Sequence, residues 1–116
     1  MNFKRTIPVI AVMMALAALT WTAGARTASP VVFEDGKAIF SAKCASCHGM
    51  DGSGNTAKGK EFKLKDLKSA EVQKKTDAQL IELTTKGKGK MPAYDKSLGK
   101  EKIEAVVAYV RQLAKK

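Results

Sequence analysis

The 116 residues carry 21 lysines and arginines against 11 acids, a net charge of +10 at pH 7, with two cysteines and one histidine. That length leaves room for one small domain. So few cysteines and histidines exclude a structural zinc centre of the usual four-ligand kind.

The N-terminal segment reads separately from the rest. Lys4 and Arg5 precede an apolar run from Ile7 to Leu19, broken only by Pro8, and Ala23-Gly24-Ala25 offers small residues for cleavage. This order is that of a secretory signal peptide, so residues 1–25 are expected to be removed, leaving 26–116 as a single domain in the periplasm. The apolar run falls short of the ~20 residues that a spanning helix needs, so no stable membrane insertion is expected after cleavage. No cysteine follows the run to carry a lipid. Loss of Lys4 and Arg5 with no acid leaves the domain strongly basic. A domain of this size buries a modest share of its surface and needs a staple.

Arg26 to Pro30 is a small polar leader. From about Glu34 to Lys43 the pattern is helical, with Phe33, Gly36, Ile39 and Phe40 near one side. Gly36 inside a helix costs about 1 kcal/mol relative to alanine, which predicts the close approach of another helix there. Residues 44–48 follow as Cys44-Ala45-Ser46-Cys47-His48, and Gly49 to Gly59 has the composition of a loop. The lysine-rich stretch from Lys58 to Lys75 holds Phe62, Leu64 and Leu67 without a clear period, and a short helix is expected after Ser69. Thr76 and Gln79 have capping-box spacing. They open a helix through Leu80, Ile81 and Leu83 that should stop near Lys86, with Gly87 as its left-handed C-terminal residue. Gly87 to Gly99 again reads as a loop and contains Lys90-Met91-Pro92-Ala93-Tyr94. The last helix, about Lys100 to Lys115, has an apolar stripe of Ile103, Val106, Val107, Val110, Leu113 and Ala114, with Tyr109 on its flank. Gly99 as its N-cap would put Leu98 and Ile103 at the hydrophobic-staple positions. No stretch alternates as a strand, so the fold class is all-α.

The chemistry concentrates in residues 44–48. Two cysteines three apart with a histidine directly after the second mark covalent attachment of a c-type haem. Each thiol adds to a haem vinyl group, and His48 is placed to ligate the iron. A thioredoxin-type dithiol needs a strand-helix-strand setting that this chain lacks. A disulfide across two residues closes too small a loop to stabilise much, whereas a haem would supply missing core. The iron has a second axial position, and no other histidine exists to fill it. Thioether sulfur is a frequent partner in electron-transfer cytochromes. Met1, Met13 and Met14 leave with the signal peptide, and Met50 lies too near His48 to reach the opposite face. Met91 remains.

At these residues the chain resembles a small bacterial class I cytochrome c, over essentially residues 31–114. The resemblance rests on Gly36 and Phe40, on Cys44 to Gly49, on Gly87 to Tyr94, and on Val106 to Val110. It implies one haem c held by Cys44 and Cys47, axial ligation by His48 and Met91, and first and last helices that cross around the haem with Gly36 and Phe40 near Tyr109. Similar proteins often carry a proline whose carbonyl accepts the Nδ1–H of the haem histidine, and by spacing that position is Leu64 here.

With both axial positions filled by protein, the iron has no open site, so the expected function is a one-electron carrier and not an enzyme. A haem sensor or weak peroxidase with a displaceable sixth ligand is the alternative, and a non-haem redox dithiol is the third. Lys86, Lys88 and Lys90 before Met91 suggest redox partners with acidic docking surfaces. Nucleic acid is not an expected partner for an exported chain, and a monomer is expected.

Overall fold

The computed structural model describes residues 30–116, with side chains from Glu34 onward. The expected signal peptide, its cleavage site and most of the polar leader lie outside the described residues. Seven helices follow one another: α1 Pro30–Lys43, α2 Ala45–His48, α3 Ala57–Glu61, α4 Ala70–Gln73, α5 Asp77–Lys86, α6 Asp95–Leu98 and α7 Lys100–Leu113. Among the described residues there is no strand, only an isolated bridge between Lys88 and Met91, and no helix long and apolar enough to cross a membrane.

α1 and α7 form the frame. A Cβ built on Gly36 would lie 2.2 Å from the Ala105 carbonyl oxygen and 3.1 Å from the Tyr109 Cβ. The glycine therefore answers the approach of α7, as its helix-interior position predicts. One turn further on, Phe40 and Tyr109 meet with ring centroids 5.3 Å apart and planes tilted by 54°, a favoured aromatic geometry. Phe40, Cys44, Val106, Tyr109, Val110 and Leu113 make one buried cluster. Val72, Leu80 and Val107 make a second, and half-buried Leu67 packs against both.

The remaining elements are set largely by local hydrogen bonds. The Thr76 and Gln79 side chains exchange bonds with each other's backbone N–H groups, closing the expected capping box of α5. Gly87 ends α5 at φ 71° and ψ 173°, an extended positive-φ conformation open to glycine and not the left-handed turn expected of it. α4 begins after Ser69 as expected, its hydroxyl accepting from the Val72 N–H. Arg111 of α7 donates to the Asp77 carboxylate at 2.9 Å and to the Gln73 carbonyl at 3.0 Å. That single guanidinium ties the α4–α5 link to the C-terminal helix.

Several boundaries differ from expectation. α1 starts at Pro30 rather than near Glu34; a proline is well suited to a first turn, where its missing N–H costs nothing. The stretches 49–59 and 87–99 are not plain loops, for they contain the start of α3 and all of α6. α7 stops at Leu113, so Ala114 lies past its end, exposed, and does not join the apolar stripe. Tyr109 is buried at 7 % exposure, because its ring faces α1. Gly36→Ala should lower stability by at least ~2 kcal/mol, since the added methyl meets backbone that cannot swing aside; the midpoint of denaturant unfolding measures it.

Candidate cofactor site

The end of α1 and the whole of α2 present the motif residues. Cys44 is buried while Cys47 and His48 are half-buried, and the two cysteines are free thiols. Burial, with a smaller contribution from the neighbouring Cys47, raises the Cys44 pKa to about 11. Burial lowers the His48 pKa below its ordinary value, holding the ring neutral, the form in which imidazole binds a metal.

The loop after His48 is fastened from below. The Thr56 hydroxyl donates to the Cys47 carbonyl at 2.6 Å and accepts from the Gly59 N–H at 2.8 Å. It caps α3 and holds the last turn of α2 at the same time. A Cβ on Gly59 would stand 2.0 Å from the Gly54 carbonyl oxygen and 2.8 Å from that of Cys47, so α3 lies directly against this turn.

Met91 approaches from the other side of the chain. Lys88 and Met91 exchange backbone hydrogen bonds of 3.1 and 3.0 Å, making a tight turn, and Pro92 restricts the backbone of Met91. A cavity of about 670 Å³ including its open mouth is lined by Phe40, Cys44, His48, Leu67, Leu80 and Met91 among others. A second cavity of about 390 Å³ is bordered by Lys43, Cys47, Phe62, Leu64, Lys90 and Tyr94. Cys44, His48 and Met91 line both. All four residues singled out in the sequence thus border one two-lobed cleft. Leu80 and Leu83 line its larger lobe as expected, whereas Ile81 packs instead against the Val72–Leu80–Val107 cluster.

The cleft fits a haem. Its larger lobe is walled mainly by aliphatic side chains, it has thiols and an imidazole at one border, and its methionine offers a soft donor. The Nδ1 atom of His48 is buried with no hydrogen-bond partner. Leu64 lines the second lobe beside His48, but its carbonyl does not accept from Nδ1, so the expected orienting bond is not made. Among the described residues no cluster of three or more His, Cys, Asp or Glu side chains could hold a bare metal ion. Sequence reasoning missed Thr56, whose bond to Cys47 joins residues nine apart, and Thr84, a buried hydroxyl in the main lobe satisfied by the Leu80 carbonyl at 2.9 Å.

Comparison with known proteins points the same way. Residues 32–110 match the family described as cytochrome C oxidase, cbb3-type, subunit III. A cytochrome c6 of Microcystis aeruginosa is 43% identical over 82 residues, covering 71% of this chain and 98% of that protein. A cytochrome c6 of Nostoc sp. is 34% identical over 110 residues, covering 92% of this chain and 91% of the relative. Among solved structures, the c-type cytochrome KustC0563 superposes with a TM-score of 0.61 at 30% identity, covering 68% of this chain and 96% of its own.

Thr56→Val removes both hydroxyl bonds and leaves the Cys47 carbonyl short of a donor. It should cost about 2 kcal/mol, whereas Thr56→Ser should cost no more than ~0.5 kcal/mol; chemical denaturation of the two variants checks the difference.

Proposed function

The chain belongs to the c-type cytochromes, electron carriers with one covalently bound haem c, and from that premise we propose that it shuttles single electrons between periplasmic or membrane-bound redox partners with His48 and Met91 as axial ligands. The observation that carries this reading is that Cys44, His48 and Met91 border both lobes of one cleft. Bound there, the haem iron supplies a one-electron ferric–ferrous couple. Cys44 and Cys47 would hold it through thioethers, each S–H adding across one of its vinyl groups. His48 would ligate the iron from the α1–α2 side and Met91 from the turn that follows α5.

The walls do the rest of the work. Phe40, Leu67, Val72, Leu80, Val106 and Val110 line the main lobe and give it a mainly apolar wall. With both axial positions filled by the chain, substrate has no coordination site, which suits a carrier and not a catalyst. A mainly apolar wall and thioether ligation both favour a positive potential.

The rim of the second lobe is basic. Lys43 and Lys90 border it. Exposed Lys88 has no acidic partner within ion-pairing distance among the described residues, while Lys86 is paired with Glu82 at 2.6 Å. Steering of an acidic partner therefore falls to Lys43, Lys88 and Lys90 more than to Lys86. Residues 1–25 direct export, are removed after Ala25, and leave a monomer in the periplasm.

Met91→Ala should abolish the weak ferric iron–sulfur absorption band, open the iron to small ligands and lower the potential; an unaltered ferric spectrum would remove Met91 from the iron. Separately, electron transfer with the physiological partner should slow about tenfold or more between low and high salt as the lysines are screened. Stopped-flow rates over a salt series measure this, and a flat profile rejects steering.

A further inference from the structure

The turn that carries Met91 is rigid in itself but touches the opposite half of the molecule at few points. A Cβ on Gly87 would meet the Met91 carbonyl oxygen at 2.5 Å and Ala93 N at 2.8 Å, so residues 87–93 fold tightly back on the end of α5. What sets the position of this turn relative to α1 and α2 is a separate matter. Lys90 Nζ lies 6.0 Å from the centre of the Phe62 ring, at the outer limit of a cation–π contact. Tyr94 does more. Its N–H donates to the Thr84 carbonyl near the end of α5 at 3.1 Å. Its hydroxyl, at the border of the second lobe, donates to the Lys43 carbonyl at 3.1 Å, bridging residues 51 apart in sequence. Among the described residues this is the one hydrogen bond joining segment 87–94 to segment 34–64. It lands on the residue immediately before Cys44. Lys43 closes α1, where carbonyls have no intrahelical partner, so the bond also satisfies a group that helix geometry leaves free. Burial raises the Tyr94 pKa, so its hydroxyl keeps the proton it donates.

We propose that Tyr94 is a positioning residue whose hydroxyl latches the Met91 turn to the haem-attachment end of α1 and so sets how readily Met91 leaves the iron. The inference rests on Met91 being the sixth ligand. Without the latch the turn stays folded, since its own bonds and Gly87 are unaffected, but it swings away from α1 more often. The population in which the sixth position is free then rises, and an added ligand binds more tightly in proportion to that population.

The test is imidazole binding to the ferric haem protein, titrated by absorbance at a temperature where every variant is folded. Tyr94→Phe keeps the ring and deletes only the donor. It should bind imidazole about tenfold more tightly than wild type, the equivalent of ~1.4 kcal/mol and of one lost hydrogen bond. In a Met91→Ala background the same change should alter affinity less than about twofold, because there is no ligand left to hold. Equal imidazole affinity in wild type and Tyr94→Phe, with Met91→Ala binding more tightly than both, overturns the latch and leaves Met91 as ligand. An equal gain from Tyr94→Phe in both backgrounds shows a general loosening and also overturns it. Equal affinity in wild type and Met91→Ala removes the ligand reading, and the latch with it.

Discussion

At Gly36 the two terminal helices come so close that a single methyl group has no room, and the site is built outward from that contact. It is a backbone constraint, since the atom an added Cβ would strike is the Ala105 carbonyl oxygen. With α1 pressed to α7 at this depth, Phe40 one turn later drives fully into the interface at 1 % exposure. One turn further still, Cys44 becomes part of the same cluster. The attachment motif therefore starts from the best-packed part of the molecule. Local hydrogen bonds then turn the chain at Cys44 into the single turn of α2, and Thr56 locks that turn from the far side. No part of this sequence requires a large core. Two small clusters share Leu67, and the space between them is the cleft.

The elements that could be read from the sequence are those whose cause is local or repeated. The α5 capping box depends on residues three apart. The stripe of α7 repeats over three turns, and Gly36 is conspicuous as a glycine within a helical pattern. Cys44, Cys47 and His48 announce themselves by spacing, and Met91 follows by subtraction because so few donors exist. What stayed hidden depends on distant partners. Nothing near Thr56 says that its hydroxyl will hold Cys47, and nothing near Tyr94 names the Lys43 carbonyl. α3 and α6 are five and four residues long, too short for any period to register. Ala114 follows the helical spacing yet falls past the end of α7, where spacing loses its meaning. The expected carbonyl partner for His48 was drawn from resemblance, and at Leu64 the resemblance does not carry the bond with it.

The unequal lobes of the cleft give the two sides of the site different tasks. The larger lobe is bounded by the C-terminal helix and the α4–α5 region, whose link is pinned by Arg111. Helix packing gives that space mainly aliphatic walls. The smaller lobe is bounded instead by loop residues, the end of α1 and two lysines.

Those lysines would act twice in the proposed carrier. A ferric haem bears one more positive charge than a ferrous one, so a low-dielectric wall on one side and fixed cations on the other both disfavour the oxidised form. The two influences would add, and both would push the potential up along with the proposed Met91 ligation. They differ in reach. The apolar wall is little affected by salt, whereas exposed Lys43 and Lys90 lie where the Debye length of about 8 Å at physiological ionic strength screens them. An acidic partner docking on the rim would neutralise those same charges. Docking would then lower the potential of the bound carrier relative to the free one and ease departure of the electron toward that partner. Attraction and release would thus come from one set of side chains, provided that the iron lies close enough to the rim to feel them, which is where a ligand carried on the turn after Lys90 would hold it.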